Sequence, residues 1–505
     1  MNAALATRSL RALLDGFAAV DAAADIAVTG LALDSRTVTP GALFLALRGQ
    51  ASHGLAHVDA AIARGAAAVV WEPADGVAAP QLSVPVIAVD ALGRHAGTIA
   101  ARWHRHPSAD LFTVGITGTD GKTSTAHLVA QAFERLHSPC AYFGTLGYGR
   151  LGALADASHT TPDPLRLQAL LADARDAGAT ACAMEVSSHA LDQARVGGVA
   201  FDVAVLTNLG RDHLDYHGTV EAYAAAKRRL FAWPDLQAAV LNQDDAHGRR
   251  WAAELLAAAQ TPVIVYGLDG TALPGARFVI GRELVLHGDG LSMELDTSWG
   301  RALLNSRLLG RFNAHNLLAA ASVLLANGVA LADVVAVLAE SRTVPGRIEA
   351  FRVSGSPLVV VDYAHTPQAL AAVLDALRPH TAGKLISVFG CGGDRDHGKR
   401  PLMAAAAVER SDVAIITDDN PRSEAPEAIA AAMLAGIPAG RTAQVIHDRA
   451  TAIATAIGSA SADDLVLIAG KGHEDYQLYG LYGRERRLFS DRAYVADLLG
   501  LPRRA

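Results

Sequence analysis

The sequence predicts an α/β protein of three domains, on three observations. Short, apolar, mostly β-branched runs recur along nearly the whole chain. Ala- and Leu-rich helical stretches alternate with them. The length, 505 residues, gives roughly three domains at about 150 residues each. The runs at 114–117, 183–186, 203–207, 359–361, 385–389, 413–417 and 465–468 read as buried parallel strands, because a strand covered on both faces does not alternate. Boundaries fall at 104–111, around Pro107, and at 342–347, which carries a Pro-Gly turn. The expected domains are therefore 1–107, 108–344 and 345–505.

Composition removes several classes. Lys+Arg 44 against Asp+Glu 51 leaves a net charge of −7. That excludes a basic nucleic-acid-coating protein and is too mild for an acidic tail. Mean hydropathy is +0.22, but the surplus is alanine, as at 404–407, which favours helix and adds little transfer energy. The most apolar stretch, 317–338, is interrupted by Asn327, Gly328 and Asp333. A spanning helix needs about 20 nearly uncharged apolar residues, so a buried helix is expected and membrane insertion is not. Residues 1–17 hold Arg8 and Arg11 with no apolar core behind them, which argues against a signal peptide. Cys140, Cys182 and Cys391 are widely spaced, which points to a reducing cytoplasm.

The clearest motif is a strand at 112–117, then Gly118-Thr119-Asp120-Gly121-Lys122-Thr123, then a helical run from Ser124 to Leu136. A glycine-rich turn between strand and helix aims backbone N–H groups at an anion, and the helix N-terminus adds partial positive charge. Lys122 suits the β/γ-phosphates and Thr123 a Mg²⁺ ion. The general pattern puts its first glycine at position 116, where this chain has Ile116; its glycines stand at 115 and 118.

A second constellation follows two later strands: Glu185-Val186-Ser187-Ser188-His189, and Asn208 through Gly218, which includes His213 and His217. Carboxylates and imidazoles at the carboxyl ends of strands lie where α/β sheets bind ligands. Such a donor set suits Mg²⁺ or Mn²⁺. Glu185 with His213 reads as functional, and His189 and His217 read as loop residues. Lys227, by chemistry alone, reads as a solvated helix lysine.

Further along stand Leu33-Asp34-Ser35-Arg36, His159-Thr160-Thr161-Pro162, Gly310-Arg311-Phe312-Asn313, Pro345-Gly346-Arg347 and Asp362-Tyr363-Ala364-His365-Thr366-Pro367. With the phosphate loop and the Glu185 and Asn208 segments, these resemble the Mur ligase family, in order and over nearly the whole chain. The resemblance implies an N-terminal α/β uridine-nucleotide domain, a central P-loop ATPase domain with a mostly parallel sheet, and a C-terminal Rossmann-like domain. It also implies an ATP-dependent ligase of the cell-wall precursor, acting through an acyl phosphate, and monomeric. ATP would be held by Gly118, Thr119, Asp120, Gly121, Lys122, Thr123, Ser124, Asn313, Asn316, Arg347 and Asp362. Lys122, Lys227, Glu185, His213 and Arg347 would be catalytic. Thr123, Glu185, His213 and Lys227, the last as a carbamate, would hold Mg²⁺, two ions in all. Leu33, Ser35, Gln50, Ala51, Ser52, His159, Thr160, Thr161, Ser187, Gln193 and Arg195 match contacts to the uridine-linked muramoyl-dipeptide.

Three loops of the last third bear on the amino acid. Gly390-Cys391-Gly392-Gly393-Asp394-Arg395, Asp419-Asn420-Pro421-Arg422 and Gly470-Lys471-Gly472-His473-Glu474 each follow an apolar run, so one sheet edge should carry all three. The second run is similar to the diaminopimelate-specific form of the family. Diaminopimelate exceeds lysine by one carboxylate, which a guanidinium matches in bidentate fashion. Arg422 is the expected discriminator, with Arg395, Asp419, Asn420, Pro421, Gly470 and Glu474 as its companions.

Overall fold

The computed structural model describes residues 6–49, 52–157 and 159–503. The chain divides into two compact units. One comprises Met1–Tyr266, Thr271–Phe278 and Ser322–Val329; the other comprises Gly267–Gly270, Val279–Ala321 and Ala330–Ala505.

The first unit opens with a four-stranded parallel sheet, β1 (Gly30–Ala32), β2 (Ala42–Ala46), β3 (Ala68–Trp71) and β4 (Val86–Ala88), paired in that order. Leu43, Leu45 and Val70 pack on one face, and Phe44, Val69 and Trp71 on the other. Burial on both faces explains the unbroken apolar runs.

A larger sheet follows. The first seven of its ten strands along the chain are β5 (Phe112–Thr117), β6 (Cys140–Gly144), β7 (Gly147–Arg150), β8 (Ala181–Glu185), β9 (Val203–Leu206), β10 (Ala238–Asn242) and β11 (Val263–Gly267). The order is β11-β10-β9-β5-β8-β6-β7, parallel except for the β6–β7 hairpin. Strand β5 lies between β8 and β9, so the segments after all three emerge at one edge. Helix α1 (Lys122–Arg135) leaves β5, and α2 (Ser188–Asp192) and α3 (Val220–Arg228) follow β8 and β9.

The second unit, from Val279 on, carries an antiparallel set, β12 (Arg277–His287), β13 (Gly290–Thr297) and β14 (Gly300–Ser306). The apolar stretch at 317–338 is two helices, α4 (Arg311–Ala326) and α5 (Leu331–Ala339), separated where Gly328 takes φ +78°. Leu317 to Leu325 are buried. No helix among the described residues is long and apolar enough to cross a membrane. The remaining sheet is built from β15 (Glu349–Phe351), β16 (Leu358–Asp362), β17 (Leu385–Phe389), β18 (Val413–Ile416), β19 (Gln444–Val445) and β20 (Leu465–Ala469), in the order β15-β16-β20-β17-β18-β19. All its pairs but β15–β16 are parallel. The loops after β16, β17, β18 and β20 therefore share its carboxyl edge, as the sequence predicts.

Candidate active site

The turn at 118–121 is fixed by its backbone. Gly118 has φ +152°, and a Cβ there would lie 1.8 Å from Thr207 Oγ1, so no side chain fits. The end of β9 braces the turn. Thr119 N–H donates to Asn208 O (3.0 Å) and Asp120 N–H to Asn208 Oδ1 (2.9 Å). Asp120 O accepts from Thr207 Oγ1 (2.6 Å) and Asn208 Nδ2 (3.1 Å). Thr207 and Asn208 are site residues that the motif alone does not name. Gly121 opens α1 without a side-chain cap. Ser124 lies in the first turn of that helix.

Two lysines converge on this turn. Lys122 Nζ donates to Gly118 O (2.9 Å) and Thr119 O (2.8 Å), and Lys227 Nζ to Gly118 O (2.7 Å). Lys227 is 1 % exposed, so the expectation of a solvated helix lysine is corrected: α3 turns this residue inward, with its amine over the Tyr223 ring at 4.6 Å. Burial, aided by the charge of Lys122, lowers its pKa to about 7. Burial also lowers that of Lys122.

Glu185, at the end of β8, is wholly buried and accepts four hydrogen bonds. Oε1 takes the Tyr142 hydroxyl (2.6 Å) and Thr145 N–H (2.8 Å). Oε2 takes the Thr123 hydroxyl (2.8 Å) and, more weakly, that of Thr145 (3.4 Å). Thr123 and Glu185 are thus brought together as an all-oxygen set, which fits the hard-ligand preference of Mg²⁺.

The rest of the expected ligand set is not assembled with them. His213 lies with φ +51° just before a short helix, its ring 4.7 Å from that of His189 and its Nε2 3.4 Å from Asp212 Oδ2. Lys227 is turned to the Gly118 carbonyl. Among the described residues no group of three or more His, Cys, Asp or Glu is arranged to hold a metal. The physical reason is that an amine is a donor; only as a carbamate does Lys227 offer oxygens to a cation. His189 and His217 are more than loop residues: they pack with Tyr216, and His217 Nε2 lies 3.0 Å from Ser188 Oγ.

Of the residues matched to the dipeptide, Thr160, Thr161, Ser187, Gln193 and Arg195 are linked through Thr145 and Glu185. The Thr161 hydroxyl donates to Glu185 O (2.8 Å) and accepts from Ser187 N–H (3.1 Å). Arg195 donates to Thr161 O (3.1 Å) and Gln193 Oε1 (2.8 Å). Thr160 Oγ1 is 3.2 Å from Thr145 Oγ1, and the Tyr148 hydroxyl donates to His159 O. Near β1 and β2, Leu33 packs against the small core, Ser35 is buried and Ser52 is exposed. Gln50 and Ala51 lie outside the described residues.

In the second unit, Asn313 and Asn316 are buried on α4. Asn313 Nδ2 donates to Leu309 O (2.8 Å) and Asn316 Nδ2 to Asn313 Oδ1 (3.0 Å). Asp362, at the end of β16, accepts N–H groups from Ile348 (2.8 Å) and Ala364 (2.7 Å), and burial raises its pKa. Arg347 is exposed, 4.9 Å over the Tyr363 ring.

At the shared edge, Arg422 takes φ +52° and donates through Nη1 to Gly393 O (2.7 Å). A Cβ on Gly392 would lie 2.9 Å from Arg422 Nη1 and 4.0 Å from Arg395 Cγ, so both arginines border that glycine. Arg422 N–H donates to Leu478 O, and Leu478 N–H to Asn420 Oδ1, each at 2.9 Å. Asp419 O accepts from Gln477 (2.9 Å), Pro421 is buried, and a Cβ on Gly470 would meet Asp419 Oδ2 at 2.7 Å. Asn420 Nδ2 reaches Glu474 Oε2 at 3.3 Å. Arg449, which belongs to none of these motifs, is buried beneath this edge, pairs with Asp491 (2.7 Å) and donates to Ala469 O (3.0 Å). Its distance in sequence from any glycine-rich turn leaves no local signal.

A glycine turn between strand and helix that gathers one buried and one half-buried amine beside a buried carboxylate marks a nucleotide-using α/β enzyme. The family comparisons agree along the chain. The Mur ligase family catalytic domain matches 27–104, the Mur ligase middle domain 116–324, and the Mur ligase glutamate ligase domain 346–472. The chain belongs to the Mur ligase family. A relative from Alkalilimnicola ehrlichii, named UDP-N-acetylmuramoyl-L-alanyl-D-glutamate--2,6-diaminopimelate ligase, is 51% identical over 500 residues, 97% of this chain and 98% of the relative. One of the same name from Pseudomonas aeruginosa is 50% identical, covering 90% and 92%. A solved structure of a ligase so named superposes with TM-score 0.80 at 38% identity, covering 98% of this chain and 99% of that one.

Proposed function

We propose that this chain joins meso-diaminopimelate to the γ-carboxylate of D-glutamate in UDP-N-acetylmuramoyl-L-alanyl-D-glutamate, with conversion of ATP to ADP and phosphate. The observation that carries the reading is the edge where Arg422 and Glu474 are tied through Asn420 and Leu478. It offers a guanidinium for the extra carboxylate and a carboxylate for an ammonium group. The full-length likeness to ligases of that name supports it.

A carboxylate does not acylate an amine at neutral pH, because oxide is too poor a leaving group. The γ-carboxylate oxygen attacks the terminal phosphorus of ATP, and the bond to ADP breaks. The neutral amine of diaminopimelate then attacks the acyl carbon, the C–O bond to phosphate breaks, and the nitrogen loses its proton. Lys122 and the N-terminus of α1 are assigned to the phosphates, where their positive charge would offset the charge that builds in transfer. Arg347 and Asp362, with Asn313 and Asn316, are assigned to the nucleotide. His159, Thr160, Thr161, Ser187, Gln193 and Arg195 are assigned to the dipeptide; Leu33, Ser35 and Ser52, with Gln50 and Ala51, are assigned to the uridine nucleotide. Thr123 and Glu185, with Lys227 as its carbamate and His213, would hold Mg²⁺, which screens the oxyanions when bound. Carbamate formation needs a neutral amine, which a Lys227 pKa of about 7 provides.

The reading includes the domain ranges 1–107, 108–344 and 345–505; the three family matches fall inside them. It also includes a monomeric enzyme in the cytoplasm. The test is phosphate release with ATP and UDP-muramoyl-dipeptide plus either meso-diaminopimelate or L-lysine. Release is expected with the first. Equal release with L-lysine would overturn the specificity, and release independent of any amine would overturn the ligase.

A further inference from the structure

At the amino-acid edge one buried charge has no part in the chemistry above. Lys471, just after β20, is 0 % exposed. Its Nζ donates to Glu474 Oε2 at 2.9 Å and to Asn420 Oδ1 at 3.2 Å. Asn420 Nδ2 reaches the same Oε2 at 3.3 Å. Lys471, Glu474 and Asn420 therefore close a triangle between the loops after β20 and β18. Both donors fall on one carboxylate oxygen. Glu474 Oε1 has no protein donor among the described residues, while the side chain as a whole keeps 20% exposure. A carboxylate pinned through one oxygen presents the other in a fixed direction.

Stability alone is a poor reason for such a lysine. A well-packed apolar side chain commonly matches or exceeds a buried ion pair in stability. Asn420 does not require it either, since its Oδ1 also accepts Leu478 N–H. What Lys471 supplies is a charge-assisted hydrogen bond to Oε2, which fixes the direction of the Glu474 carboxylate.

We propose that Lys471 is a positioning residue for amino-acid selection, holding Glu474 so that Oε1 receives the ammonium group of the incoming amino acid. This rests on reading the edge as the amino-acid site. Steady-state phosphate release is to be compared in the wild type, Lys471→Met, Glu474→Ala and the double variant, each varied in one substrate at a time. Lys471→Met should raise the KM for diaminopimelate at least tenfold, with the KM for ATP and for the dipeptide within twofold. The double variant should match Glu474→Ala within twofold, because Lys471 acts through Glu474. An unchanged diaminopimelate KM in Lys471→Met, or a further tenfold rise from Glu474→Ala to the double variant, overturns the inference. Should Lys471→Met fail to fold, the comparison of Glu474→Ala with the double variant, which leaves no unpaired charge, still decides. A wild type that releases no phosphate with diaminopimelate refutes the proposed function instead, before any variant is considered.

Discussion

Around the 118–121 turn, Lys122 and Lys227 end on carbonyl oxygens, and among the described residues neither has a carboxylate within ion-pair distance. At the Gly470 turn, Lys471, as buried as Lys227, ends on Glu474. The first arrangement sets two amines side by side, with burial lowering the pKa of each. That raises the free energy of the empty site and suits it to an arriving anion. The second compensates its charge internally and exports only a direction. A net charge of −7 coexists with anionic substrates because the attraction is local.

The largest effect expected from breaking this contrast is at Lys227. Lys227→Ala should lower phosphate release by about 10³-fold, on the scale of losing a preorganised charge contact in a dry site. Acetate should restore part of it by supplying the missing carboxylate oxygens. Full activity without additive would contradict the carbamate role.

Stability should move the opposite way. In the folded chain Lys227 has a pKa of about 7, against 10.5 for a free lysine. Between those values the unfolded chain binds one more proton, so stability rises with pH across that window. Below pH 7 the burial penalty is present in full, about 4–5 kcal/mol. Lys227→Met should therefore be several kcal/mol more stable than wild type at pH 7, with the gap closing towards pH 10. Urea unfolding in bicarbonate-free buffer measures it. A gap independent of pH would show that Lys227 is not the titrating group.

Arg422 probes the other region. Arg422→Ala should raise the KM for diaminopimelate by roughly 10- to 150-fold, corresponding to about 1.5–3 kcal/mol for a charge-assisted contact. The KM for ATP should stay put, because Arg422 belongs to the edge at Gly393 and Leu478. Unchanged diaminopimelate kinetics would sink the specificity assignment.

Contiguous signals were the legible ones. The strands at 112–117 and 385–389 show as short, mostly apolar runs without charge because both faces are covered. The antiparallel strands β12 to β14 do not, because exposed and buried positions mix along them: Leu303 is exposed beside buried Leu304. The phosphate turn was legible because glycine and lysine must sit in one short segment. Its braces come from a different strand: Thr207 carries no local mark, and Asn208 stands out only as the start of the segment after that strand, not as a partner of the turn. Lys227 shows the limit most sharply. Its neighbours Ala224, Ala225 and Ala226 say only helix, and the residue's inward face is set by packing against the loop at 118–119.

The smallest effect separates two roles of one hydroxyl. Ser187 Oγ accepts the Ala190 N–H at 3.2 Å, capping α2, and it belongs to the network of Thr161 and Glu185. Loss of a serine cap typically destabilises by about 1 kcal/mol. If Ser187 only caps the helix, Ser187→Ala should lower stability by that amount and leave the dipeptide KM within twofold. If the hydroxyl also meets the dipeptide, the KM should rise at least fivefold. Ser187→Asn then decides the matter, since asparagine caps as well as serine but places a larger group in the site. Stability restored with the dipeptide KM still raised assigns Ser187 to the substrate. Restoration of both assigns it to the helix alone.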